Sequence, residues 1–171
     1  GIGLKGQKAN SIIKEINFDE YFKLYQIAKE NFKNVVFNLD TPVNDKGTKF
    51  FKSSEGCSFL KGGLLGGLFR FKNGVEKIAK IHQQNRILKG GYYLECFEGI
   101  LSDIYKKQGF KIVSRMKFNA SFASKNWEQN EVLKNSPDVV FMSLYQVDKI
   151  QIFTDYDKAE KIAILSIIKE I

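Results

Sequence analysis

The stretch YYLECFEGILSDIYKKQGFKIVSRMKFN, residues 92–119, changes its hydrophobic period twice. Its beginning is a short apolar run that predicts a strand over residues 92–97. A helical pattern follows and stops at Gly109, and an alternating run over residues 111–118 predicts a second strand. A strand, a short helix and a strand in direct succession require helices packed on a sheet. This stretch therefore indicates an α/β or α+β structure.

The rest of the chain continues the alternation of helices and strands. Asn17 and Glu20 are spaced as a capping box for an N-terminal amphipathic helix. Strands are predicted at residues 49–60, 64–71, 138–147 and 149–153, a helix at residues 75–88, and a final helix capped by Thr154 and Asp157. The region between residues 119 and 136 looks irregular. The sequence thus predicts a central mixed, mostly antiparallel twisted sheet flanked by helices.

Apolar residues at helical spacing predict which helix faces pack inward. The four sets are Tyr21, Leu24, Tyr25, Ala28 and Phe32; Val75, Ile78, Ile81 and Leu88; Leu101, Ile104 and Tyr105; and Ala159, Ile162, Ala163 and Ile167. Gly66-Gly67 interrupts a strand, and paired glycines inside a strand indicate a bulge or a close backbone approach.

The chain of 171 residues is long enough for one domain with a real core, so we expect a single domain over residues 1–171. It starts at Gly1 rather than Met, which is compatible with excision from a larger chain. No apolar run reaches the roughly 20 residues of a membrane helix. We expect a cytoplasmic protein that does not enter a membrane, and its oligomeric state is left open.

The sequence has few side chains suited to metal binding or nucleophilic catalysis. Cys57 and Cys96 lie far apart in sequence and are interpreted as reduced, apolar residues. His82 is the one histidine, which excludes a multi-histidine metal centre, and we predict no metal. In the middle of a helix, His82 is expected at the surface or half buried rather than as a base.

The net charge of +8 suits anionic partners such as nucleic acid or a phosphate-bearing cofactor. The lysines are scattered, however, and a solvated surface is the preferred explanation for them. Arg115 and Lys117 share a strand face, where they would meet an acidic substrate or solvent. We expect at most weak, non-specific contact with nucleic acid.

Tyr105 and Gly109-Phe110 resemble the GNAT family of N-acetyltransferases, in which a tyrosine, three residues and Gly-Phe commonly lie between two strands. GGYYLECFEG, YKKQGFKIVSRMKFN and PDVVFM are similar to an uncharacterised GNAT-like branch of phage and mobile-element proteins. The resemblance covers residues 49–146. It implies a GNAT-like fold and the transfer of acetyl from acetyl-coenzyme A to an amine of a protein or a small molecule.

The resemblance also implies where the cofactor binds. The predicted cofactor-binding residues are Gly67, Phe69, Lys72, Asn73, Gly74 and Lys77. The family's loop reads Q/R-x-x-G-x-G/A, whereas this chain has FKNGVE with one glycine. A helix N-terminus favours anions, but Glu76 places a negative charge in the first turn and opposes phosphate.

Three side chains are the candidates for catalysis. The resemblance implies that Tyr105 protonates the leaving thiolate, and packing against the core is the equal alternative. Glu95 and Glu98 flank the end of a strand, where either accepts a proton directly or through water, or Glu98 caps the next helix. The glycine pair at 66–67 would aim a backbone amide at a carbonyl oxygen, or permit a tight strand crossing. Trp127 would line a pocket or pin its loop.

Two readings of function remain. The first is an N-acetyltransferase that uses acetyl-coenzyme A. The alternative is a catalytically inactive GNAT-fold interaction module of a phage or mobile-element protein, which the altered cofactor loop favours. No nucleic-acid-binding motif is present to support a third, nucleic-acid-binding function.

Overall fold

The computed structural model describes residues 12–32, 41–71, 78–123 and 125–168, without the side chain of Phe122. This part of the chain contains eight strands and four α-helices. They are β1 (Lys14–Ile16), α1 (Phe18–Asn31), β2 (Thr48–Lys52), β3 (Gly56–Lys61), β4 (Leu64–Arg70), α2 (Ile78–Leu88), β5 (Tyr93–Phe97), α3 (Ile100–Lys107), β6 (Lys111–Met116), β7 (Val139–Ser143), β8 (Gln151–Phe153) and α4 (Tyr156–Leu165). The predicted α/β class with flanking helices is confirmed.

The described residues divide into two compact units, the first ending at Gly91 and the second beginning at Tyr92. In the first unit β1, β2, β3 and β4 pair in chain order, each antiparallel to the next. In the second unit β7 pairs antiparallel with β5 and β6, and β8 pairs parallel with β6. The pairing is therefore mixed and mostly antiparallel, as predicted. The single domain over residues 1–171 stays a prediction.

Helix α1 packs one aromatic face on the first sheet. The Asn17 side chain accepts the Glu20 N–H and so caps the helix, as the sequence predicts. Tyr21, Tyr25 and Ala28 are buried on this face. The Tyr21 ring packs against Phe50 and Phe69, with centroid distances of 4.7 and 5.4 Å. Full burial of one such ring contributes roughly 1.5–3 kcal/mol.

Helices α1 and α2 of the first unit lie on opposite faces of its sheet. Side chains alternate along β3, so Cys57 and Phe59 point one way and Ser58 and Leu60 the other. The Phe59 ring contacts Tyr21 of α1. Ser58 hydrogen-bonds to His82 of α2.

Strand β7 forms the buried centre of the second unit, with Val140, Phe141 and Met142 inaccessible to solvent. Helix α4 lies against this sheet through Ala159 and Ala163, whose small side chains permit close approach. The Ser114 hydroxyl of β6 donates to the Ala159 carbonyl oxygen at 2.6 Å. That bond ties the helix to the sheet.

Two predicted strands are wrong in their bounds. Residues 49–60 form two strands, because the chain turns at Ser53, whose N–H donates to the Gly56 carbonyl. The strand predicted over 138–147 ends at Ser143, where the Ser143 hydroxyl accepts the Tyr145 N–H. Strand β1 was not predicted, because three residues are too few to show an alternating hydrophobic pattern.

Several predicted helix faces are also wrong. In α2 the buried residues are Ile78, His82, Gln83 and Arg86, whereas Leu88 is 88% exposed. In α3 Ser102 and Tyr105 are buried, and Leu101 and Ile104 are exposed. Helix α4 is capped by Asp155, which accepts the Asp157 N–H, and not by Thr154; past its end Ser166 is buried and Ile167 is exposed. Polar side chains are buried on these faces in place of the expected apolar ones, because they form hydrogen bonds there.

No helix in the described part of the chain is long and apolar enough to cross a membrane.

Candidate functional site

A bulge in β4 carries the glycine pair. Cys57 pairs with Phe69 and Phe59 pairs with Gly66, so Ser58 alone lies opposite Gly67 and Leu68. Two residues opposite one define a β-bulge, and the sequence prediction of a bulge here is confirmed. Gly67 has φ of +60°, in the left-handed region that favours glycine.

The space around the bulge also requires glycine. A Cβ on Gly67 would overlap the Phe59 ring and the Tyr21 hydroxyl, and a Cβ on Gly66 would overlap the Phe59 ring. The Phe59 side chain therefore occupies the volume that side chains at the pair would fill. The close approach of this ring explains why both positions are glycine.

Two side chains bind the carbonyl groups of the bulge from the two helices. The Tyr21 hydroxyl donates to the Gly67 carbonyl oxygen at 2.7 Å. Arg86 Nη1 donates to the carbonyl oxygens of Phe59 at 2.9 Å and Gly66 at 2.8 Å. Burial raises the pKa of Tyr21, so its hydroxyl stays a donor at neutral pH.

Arg86 is fully buried, at 1% exposure. Its Nε donates to the His82 carbonyl oxygen at 3.2 Å, and its Nη2 donates to the Gln83 side-chain oxygen. A guanidinium with five fixed donors is suited to such a cluster of acceptors. The group links α2 to both β3 and β4.

His82 is fully buried, and the prediction of a surface or half-buried histidine is wrong. Its Nδ1 lies 2.5 Å from the Ser58 hydroxyl and its Nε2 3.0 Å from the Ser53 hydroxyl. Burial, with a smaller contribution from Arg86, lowers the pKa of His82 to about 3. The imidazole is therefore neutral at pH 7 and has a structural role beneath the bulge.

His82 makes stability depend on pH. In the unfolded chain its pKa is near 6.5, so protons favour unfolding below that pH. The contribution of His82 is complete above pH 6.5 and falls by about 1.4 kcal/mol per pH unit towards pH 3. We expect the free energy of unfolding, measured by urea titration, to fall by about 2 kcal/mol between pH 7 and pH 5.

The chain has one histidine, so the test is specific. A His82→Asn variant is the control. Its free energy of unfolding should be lower at pH 7 but should change less between pH 7 and pH 5. A wild-type imidazole that titrates near 6.5 by NMR would contradict the buried neutral state.

The predicted cofactor residues divide into two groups. Gly67 lies in the bulge, and the Phe69 side chain packs in the core against Tyr21. A contact of Phe69 with cofactor would therefore involve its main chain. Lys72, Asn73, Gly74 and Lys77, with Glu76, lie outside the described residues. Their roles stay predictions.

Tyr105 lies on α3 of the second unit and is 8% exposed. Its ring packs on Phe110 edge to face, with centroids 6.3 Å apart. The Gln108 and Phe110 N–H groups both donate to its carbonyl oxygen and close the helix before Gly109. The ring thus has the packing role considered from sequence, and its role as proton donor stays a prediction.

Glu95 lies beside two tyrosines under α4. One of its carboxylate oxygens is buried. Burial and the Glu95 carboxylate, which accepts a hydrogen bond from the Tyr156 hydroxyl, raise the pKa of Tyr156. Tyr93 shares the strand face of Glu95, and its hydroxyl donates to Glu160 at 3.4 Å. Tyr156 and Tyr93 were missed from sequence, because only folding brings α4 to β5.

Glu98 is held by a different partner. Its two carboxylate oxygens accept hydrogen bonds from the Arg115 guanidinium at 2.6 and 2.8 Å, and Arg115 Nη1 lies 3.8 Å from Asp138. The hydrogen bonds from Arg115 lower the pKa of Glu98. Arg115 is thus engaged within the second unit rather than only with solvent. Whether Glu98 accepts a proton in catalysis stays a prediction.

Glu95 and the neighbouring Cys96 point to opposite faces of β5. Glu95 faces α4, whereas its neighbour Cys96 points the other way, where Lys106 of α3 acts on the thiol electrostatically. Burial raises the pKa values of Cys96 and Cys57 to about 12, so neither is a thiolate nucleophile at neutral pH. Trp127 packs on Phe118, with centroids 4.9 Å apart, and so pins its loop.

The described residues contain no group of three histidine, cysteine or acidic side chains that would hold a metal ion.

Comparisons with known proteins show the fold. No protein-family model matches the chain, and no curated protein sequence matches it. The chain is similar to the structure of yncA, a candidate acetyltransferase from Salmonella typhimurium solved with its cofactor acetyl-CoA, with a TM-score of 0.50 and 11% identity over 81% of this chain and 96% of that one. A ribosomal-protein-alanine N-acetyltransferase from Brucella melitensis matches with a TM-score of 0.48 and 12% identity over 77% and 97% of the two chains.

Proposed function

We propose that this chain is an N-acetyltransferase that transfers the acetyl group of acetyl-coenzyme A to an amine. The observation that carries the proposal is the bulge at Gly67, in a fold similar to that of the Salmonella protein solved with acetyl-CoA. The acceptor is a small-molecule or protein amine. The phage or mobile-element origin and the weak nucleic-acid contact stay predictions.

Acetyl transfer needs a donor that stabilises the negative charge on the thioester carbonyl oxygen as the amine attacks. The fixed bulge supports backbone amides in this role, because its glycine conformation and bound carbonyls set the direction of the peptide groups. Such donors need no reorganisation when the charge develops. When bound, acetyl-coenzyme A supplies the activated acetyl group and a thiolate leaving group.

The amine must lose a proton, and the leaving thiolate must gain one. We assign the proton acceptor to Glu95 rather than Glu98, because the Arg115 ion pair makes Glu98 a weaker base. Tyr105 is assigned as the proton donor to the thiolate, on the family spacing of Tyr105 and Gly109-Phe110. The choice between the two glutamates thus rests on their surroundings, and the role of Tyr105 rests on the spacing alone.

Cofactor binding is tested by thermal unfolding. Acetyl-coenzyme A at about 100 times its dissociation constant should stabilise the chain by roughly 2.7 kcal/mol. Dephospho-acetyl-coenzyme A should raise the melting temperature less if Lys72 and Lys77 contact phosphate. An unchanged melting temperature at millimolar cofactor would contradict the acetyltransferase function. It would favour the inactive interaction module, which the single loop glycine and Glu76 also favour.

A further inference from the structure

We propose that Tyr21 and Arg86 are positioning residues that hold the β4 bulge in the conformation that binds the acetyl carbonyl oxygen. The inference rests on the proposed function and extends it to two side chains of the helices packed on either face of the first sheet. Neither residue is expected to touch the reacting atoms; both act through the backbone of Gly66 and Gly67.

The peptide plane explains how they act. The C=O of one residue and the N–H of the next point in opposite directions within one rigid plane. The bond from Arg86 to the Gly66 oxygen therefore sets the direction of the Gly67 N–H. The bond from Tyr21 to the Gly67 oxygen likewise sets the direction of the Leu68 N–H. These are the two bulged amides.

The location of Arg86 is itself determined by its surroundings. One turn earlier on α2, His82 is bound on both ring nitrogens by Ser58 and Ser53. Ser58 is the single residue opposite the bulge. The helix that carries Arg86 is therefore fixed to β3 at the position that faces the bulged residues.

Discrimination between two ligands tests the proposal without an acceptor. Acetyl-coenzyme A carries the carbonyl that the bulge would bind, whereas coenzyme A lacks it. In calorimetric titrations we expect the wild-type chain to bind acetyl-coenzyme A about three- to tenfold more tightly, the ratio that one hydrogen bond supports. Tyr21→Phe should bring the ratio to within about twofold while the affinity for coenzyme A is retained.

Tyr92→Phe is the matched control, because the Tyr92 hydroxyl also donates to a backbone carbonyl, that of Ile164, at 2.5 Å. It should keep the wild-type ratio. Arg86→Lys should lose the ratio, because an ammonium does not reproduce the planar fork that holds two carbonyl oxygens. If Tyr21→Phe lowers the melting temperature but keeps the wild-type ratio of affinities for the two ligands, Tyr21 has only a structural role. That result would overturn the inference.

The wild-type chain gives a second test if the variants fail to fold. The amide proton resonance of Gly67 or Leu68 should move downfield with acetyl-coenzyme A and not with coenzyme A. Equal responses to the two ligands would overturn the inference while leaving cofactor binding intact. No binding of either ligand would refute the proposed function and this inference together.

Discussion

Replacing Tyr105 with phenylalanine should lower the turnover number for acetyl transfer by about 10²–10⁴-fold, the usual contribution of general-acid catalysis. The ring is retained, so its packing on Phe110 should persist. Loss of a hydroxyl hydrogen bond should cost about 1 kcal/mol of stability. The measurement is thiol release from acetyl-coenzyme A with an amine acceptor, and the affinity for the cofactor should stay within a few-fold of wild type.

The same assay separates the two glutamates. Glu95→Gln should lower turnover within the same range of about 10²–10⁴-fold, because the amide does not accept the amine proton. Glu98→Gln is the matched control and should weaken the bond to Arg115 with little change in turnover. Unchanged turnover in Tyr105→Phe, or a larger loss in Glu98→Gln than in Glu95→Gln, would contradict the assigned roles.

Alanine at Gly67 should destabilise the first unit far more than alanine at Gly62. Both glycines have left-handed backbones, with φ of +60° and +56°, so both variants acquire a strain of roughly 1–2 kcal/mol. A Cβ at Gly62 meets open space, whereas one at Gly67 overlaps Phe59 and Tyr21. Overpacking of this kind costs about 1–3 kcal/mol, so Gly67→Ala should lose that much more.

Denaturant titration of the two variants measures the difference, because the shared backbone strain cancels. Equal losses of unfolding free energy would show that the Gly67 environment yields easily. That result would contradict the tight packing of Phe59 and Tyr21 against the bulge.

The strong periodic patterns predicted the fold, but they did not predict the burial of individual polar residues. The face of α1 and the glycine bulge followed from spacing, because apolar burial and φ preferences are local signals. The face of α2 did not, because His82 and Arg86 are polar side chains that sequence patterns assign to solvent. Their burial depends on hydrogen-bond partners at Ser58, Phe59 and Gly66, which only tertiary packing brings to the helix.

The candidate catalytic residues show the same limit. The spacing of Tyr105 and Gly109 indicated a short helix closed at a glycine, and the structure has it. The partners of Glu95 and Glu98 were not predictable, since Tyr156 and Arg115 come from separate elements. Those partners are what distinguish the two carboxylates chemically.

The proposed activity requires that this chain make an acetylated amine. Purified chain should be incubated with isotope-labelled acetyl-coenzyme A and a panel of primary amines and peptides, and the products analysed by mass spectrometry. An N-acetyltransferase should place labelled acetyl on at least one amine, with release of one coenzyme A thiol for each acetyl transferred and loss of product in Tyr105→Phe. Tight binding of acetyl-coenzyme A without acetylation of any amine, the chain's own lysines included, would contradict the proposed activity.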